Sequence, residues 1–91
     1  MVKKQKNNNL DFIISKLKKS IGEIKVIEHT EGIYFGGIYE INSDKNTLTV
    51  INENGLEIIK QAEKDNLSTE AIYTDSNCMD VIDLNAILKV K

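Results

Sequence analysis

The sequence predicts a mostly β domain with one N-terminal helix, its five short strands bent strongly enough to curl into a small barrel. Three observations predict it. The stretch 21–50, IGEIKVIEHTEGIYFGGIYEINSDKNTLTV, holds three β-rich runs broken by two turn signals. A glycine pair, Gly36-Gly37, sits inside the middle run, where it permits the curvature that a small barrel needs at its corners. Ahead of these runs, Leu10, Ile13, Ile14, Leu17 and Ile21 form one apolar stripe at helical spacing.

Taken in order, residues 1–9 read as a flexible basic arm, polar and without periodicity. Residues 10–91 read as a single domain. The helix is expected over 10–21, with Asn9 as its N-cap, Asp11 in its first turn, Lys16, Lys18 and Lys19 in its last turns, and Gly22 just beyond. The first strand, 23–30, carries Ile24 and Val26 on one face and Ile27 on the other, so both faces need cover. Thr30-Glu31-Gly32 turns the chain into a second strand, 33–41. Strict alternation there puts Ile33, Phe35, Gly37, Tyr39 and Ile41 on one face and Tyr34, Gly36, Ile38 and Glu40 on the other.

Residues 42–46, NSDKN, are rich in side chains that hydrogen-bond their own turn. A third strand, 47–52, follows. Asn54-Gly55 is the strongest hairpin signal in the chain. LEIIKQAEKDN after it reads either as a strand of about five residues and a loop, or as a short helix on which Leu56, Ile59 and Glu63 share a face; the hairpin signal favours the strand. Beyond a loop at 65–69, short β segments are expected at 70–74 and 78–82 around Asp75-Ser76-Asn77. Asp83-Leu84-Asn85-Ala86 reads as one helical turn, and 87–90 as the closing strand.

Composition narrows the function. The chain has 91 residues, 41% hydrophobic and 29% charged, which suits one soluble domain. All 12 basic side chains are lysine, and the net charge is −2. Arginine is the preferred partner of phosphates and guanine edges, so sequence-specific DNA reading is disfavoured. Cys78 is the single cysteine, which fits a reducing, cytoplasmic setting and excludes an intrachain disulfide. No apolar run is long enough for a membrane span, and no signal peptide is expected. Catalytic signatures are missing, so no enzyme activity, cofactor or metal is expected. His29 stands alone at a strand end. Asp80 and Asp83, three apart, are explained as a solvated turn. Acidic neighbours would hold the Cys78 thiol un-ionised.

The order of helix, three consecutive antiparallel strands, hairpin, single-turn link and short last strand resembles the Sm-like family, and more loosely the SH3-like barrels. Gly32, Phe35 and Gly37 match the spacing of the first Sm-like motif, with Tyr39 at its next apolar position. The resemblance covers roughly residues 10–52 and 78–90. It implies a homo-oligomer that binds RNA or a nucleotide through loops, with Asn42, Asp44 and Asn46 in the strand 2–3 loop. In the second motif this chain has Asp83-Leu84-Asn85 before Ala86-Ile87, where the bacterial branch carries Tyr-Lys-His. Asp83 and Asn85 thereby complete the expected ligand set.

A second expectation is a small phage or mobile-element protein that binds and inhibits a host protein, or a structural adaptor, anchored by Phe12, Tyr34 and Tyr73. Aromatic side chains concentrate binding energy at protein interfaces.

Overall fold

The structure, a computed structural model, describes residues 2–91, with side-chain surroundings from Leu10 onward. Helix α1 (Val2–Lys19) starts well before Asn9, which is therefore a helix residue rather than a cap. The side chains of the arm expected over 1–9 lie outside the described residues. On α1 the stripe works as expected through Ile13 and Leu17, which are buried, and Leu10 and Ile14, which pack against the core. The helix then stops. Ser20 donates its hydroxyl to the Lys16 carbonyl at 2.9 Å, and Gly22 turns the chain with φ 91°, a conformation that favours glycine. Ile21 consequently leaves the stripe and is 52% exposed.

Five antiparallel strands follow: β1 (Ile24–His29), β2 (Gly32–Asn42), β3 (Thr47–Ile51), β4 (Met79–Asp83) and β5 (Ile87–Val90). Their order in the sheet is β4-β3-β2-β1-β5. Consecutive strands β4 and β5 thus occupy opposite edges, joined only by the 3-10 turn Leu84–Ala86. A flat sheet would separate those edges by roughly 19 Å, four interstrand spacings. Four residue steps reach at most about 14 Å, and less in 3-10 form. The sheet must therefore curl. It does so far enough that His29, Thr30 and Glu31 beside β1 and Val81, Ile82 and Asp83 of β4 line one depression. β4 pairs with β3 and β5 pairs with β1, but no ladder joins β4 to β5, so the sheet is curled and open.

Gly36 makes part of this curvature sterically feasible. A Cβ there would stand 2.8 Å from the Ile51 carbonyl oxygen. A second device is a bulge: Ile38 opposes Val50 and Glu40 opposes Thr49, leaving Tyr39 unpaired. The extra residue reverses the alternation. Ile38 and Ile41 therefore both face the core, and Ile41 does not share a face with Phe35 as strict alternation predicts. The core joins Ile27, Ile38, Leu48, Val50, Ile82, Leu84, Ile87 and Val90 to Ile13 and Leu17 of α1. α1 packs on β5, β2 and the Leu84–Ala86 turn.

The region after β3 departs from expectation. Residues 53–64 form helix α2 (Glu53–Lys64), with no strand or hairpin. Asn52 decides this, because its Oδ1 accepts from the Gly55 N–H at 2.9 Å and caps the helix. Gly55, Leu56, Ile59 and Ala62 then share a face, and α2 packs on β2 and β3. The Asn54-Gly55 pair lies in the first helical turn. Glycine is needed there for close approach: a Cβ would meet the Cys78 carbonyl oxygen and Ile51 Cγ2, each at 2.7 Å. Glu70–Thr74 is a 3-10 helix rather than a β segment. It carries Tyr73 onto the bulged Tyr39, ring centroids 5.0 Å apart and nearly parallel.

Candidate functional site

The five expected ligand residues come together at one end of the sheet. Asn46, at φ 54°, turns the β2–β3 loop so that its carbonyl accepts from the Leu84 N–H at 2.9 Å. That bond joins the loop to the β4–β5 link, and Thr47 pairs with Asp83 beside it. Two of the side chains serve their own turns. Asn42 Oδ1 accepts from the Lys45 N–H at 3.1 Å, and Asp83 Oδ1 accepts from the Asn85 N–H at 2.9 Å. Asp44, Asn46 and Asn85 are exposed. Asn42 and Asp44 also line an open depression of about 320 Å³ with Glu40, Ile41 and Ser43. This end carries Glu40, Asp44 and Asp83 against Lys45, a balance unfavourable to phosphates.

A polar network on the other side of β4 escaped the sequence reading. The Tyr34 hydroxyl donates to Asp80 Oδ2 at 2.6 Å, and Asn52 Nδ2 donates to Asp80 Oδ1 at 3.3 Å and to the Asn77 carbonyl at 3.1 Å. Asn54 Nδ2 donates to the same carbonyl at 3.2 Å. The network ties the start of α2 to the turn before β4. Partial burial, with the Asp80 carboxylate as acceptor, pushes the Tyr34 phenol well above its ordinary value. Burial likewise pushes the Cys78 thiol up, and the Asp75 carboxylate adds to the effect. The Cys78 side chain is enclosed, 1% exposed, so it is a packing residue held as the thiol. Asp80 and Asp83 serve different partners, Tyr34 and Asn52 for one and Asn85 for the other.

Next to this network runs an apolar groove of about 460 Å³ between α2 and the outer face of β1 and β2. Ile24, Phe35, Leu56 and Ile59 supply its apolar surface, and Glu53, Glu57, Glu63 and Lys60 its charged groups. Ile24 is 53% and Phe35 45% exposed. The helical spacing of Leu56 and Ile59 was the sequence signal for half of this groove. The other half depends on α2 lying over β2. Of the expected aromatic anchors, Phe12 stands free at 68% exposure. Tyr34 and Tyr73 are half-buried, engaged by Asp80 and Tyr39 respectively. The three lie on α1, β2 and the 3-10 helix respectively.

Among the described residues no group of three or more His, Cys, Asp or Glu side chains is placed to hold a metal ion, and no helix is long and apolar enough to cross a membrane. His29 Nδ1 accepts from the Glu31 N–H at 3.3 Å, a turn contact. No family model matches the chain, and neither the curated proteins nor the solved structures provide a match.

Proposed function

We propose that the chain is a non-catalytic, cytoplasmic binding module of the Sm-like type, whose curled sheet acts as a small barrel and assembles into a homo-oligomer. The observation that carries this reading is the pair of free edges. β4 and β5 each have one strand partner, and they present Val81 and Leu88 at 66% and 59% exposure. Unpaired edges of this kind template further pairing. One copy's β4 against the next copy's β5 is a head-to-tail contact, which closes a ring when its rotation allows. The loop pair of Asn42, Asp44, Asn46, Asp83 and Asn85 then repeats around the ring. Its amides and carboxylates suit hydrogen bonds to base edges, so RNA or a nucleotide is the ligand class, held with little salt dependence.

Light scattering tests the assembly. The native chain is expected as a stable ring of roughly five to seven subunits, and the double variant Val81→Lys/Leu88→Lys as a smaller species. A native chain that runs as a monomer rejects the ring. Added RNA and nucleotides are expected to raise the melting temperature; no shift rejects that ligand class.

Phe12 favours a second reading, a phage-type inhibitor or adaptor that binds a host protein through α1. An aromatic ring that exposed on a surface helix is a ready anchor.

A further inference from the structure

α1 and the α2 groove are complementary to each other. The exposed side of α1 carries Phe12, Lys16 and Lys19, which at i, i+4 and i+7 lie along one line clear of the buried Ile13 and Leu17. This line is one aromatic anchor, at its N-terminal end, followed by two cations. The groove is its converse: an apolar floor of Ile24, Phe35, Leu56 and Ile59 edged by three glutamates and one lysine. Both surfaces leave large apolar side chains in water, Phe12 at 68% and Ile24 at 53% exposure.

We propose that the groove is the docking site for α1 of a second copy of this chain, with Phe12 seated beside Phe35 and with Lys16 and Lys19 facing Glu53, Glu57 and Glu63. The apolar face of α1 is already packed on its own sheet, so the contact rests on one aromatic anchor and on charge complementarity, which sets its polarity. Donor and acceptor surfaces differ, so the contact is head-to-tail and each copy keeps one helix and one groove to offer. It uses neither β4 nor β5, and it stands independently of the ring.

The edge-blocked full chain, Val81→Lys/Leu88→Lys, isolates this contact. Sedimentation at low salt is expected to show concentration-dependent association that weakens at high salt, as charge-assisted contacts do. Adding Phe12→Ser removes the helix surface, and adding Phe35→Ser removes the groove. Each is expected to weaken association about tenfold or more. Mixed together, the two variants restore one intact helix and one intact groove and are expected to form a heterodimer. Glu57→Lys, at an exposed position on α2, tests the same contact without touching the floor and is expected to be rescued by mixing with Lys16→Glu. An edge-blocked chain that stays monomeric at both salts overturns the proposal. So does association that survives Phe12→Ser, or a mixture that fails to pair. Failure of the ring is read separately, from a native mass no larger than that of the edge-blocked chain.

Discussion

Replacing Gly55 with alanine sets helix propensity against packing, and the structure says which wins. In a helix interior this substitution is ordinarily favourable by about 1 kcal/mol. Gly55, however, faces the turn before β4, and its new Cβ would meet the Cys78 carbonyl oxygen at 2.7 Å, Ile51 Cγ2 at 2.7 Å and Cys78 Cβ at 3.0 Å. Two of these neighbours are fixed by backbone, so no side-chain rotation relieves them. Overpacking of this kind costs roughly 1–3 kcal/mol, and more where backbone must shift. Because backbone must shift here the upper part of that range, about 2–3 kcal/mol, applies, and set against the propensity gain the expected net loss is about 1–2 kcal/mol. For a chain of this size that lowers the melting temperature by roughly 5–15 °C. Thermal and urea unfolding followed by circular dichroism measure it. A Gly55→Ala protein as stable as the native chain, or more so, would refute the close packing of α2 on the Cys78 turn. The groove beside α2 would then lose its basis as well.

Asn52→Ala removes the α2 cap and two further hydrogen bonds, so a loss of about 1–2 kcal/mol is expected in urea unfolding. Tyr34→Phe is expected to lose about 1 kcal/mol at neutral pH, after allowance for solvent at a half-buried site. The raised phenol pKa adds a pH signature. Its stabilisation is complete below the ordinary tyrosine value of 10.0 and falls as pH rises beyond it, and Tyr34→Phe should flatten that alkaline limb. The Glu28 carboxylate is held below its ordinary 4.5 by the Lys91 ammonium at 2.6 Å. Its contribution is present above 4.5 and disappears as pH falls through the lowered value, so Glu28→Gln should remove part of the acid-side slope. Cys78 should resist thiol reagents in the folded chain and react on unfolding; labelling at the free-thiol rate would contradict its burial.

Local signals of strong periodicity were legible without the structure. The apolar stripe of Ile13 and Leu17, the turns at 30–32 and 42–46, the first three strands, the helical turn before the last strand and that strand itself follow from spacing and turn chemistry. The Asn46–Leu84 hydrogen bond that brings the two loops of Asn42, Asp44, Asn46, Asp83 and Asn85 together had no local signal. Glycine pairs hint at bending, but strict alternation gives no notice of a bulge at Tyr39.

Other decisions belonged to tertiary structure. Asn54-Gly55 is a strong hairpin signal, yet the pair also fits the first turn of a helix. Capture of the Gly55 N–H by Asn52, and the fit of Gly55 against Cys78 and Ile51, select the helix. The 3-10 form of Glu70–Thr74 accompanies the stacking of Tyr73 on a residue extruded from a distant strand. The helix stripe and the first three strand runs could be read directly from the sequence, because they depend on neighbours within a few positions. The tertiary structure alone decided the face of Ile41, the Tyr34–Asp80 network and the groove under α2. Each of these depends on contacts between residues far apart in the chain, which no local period encodes.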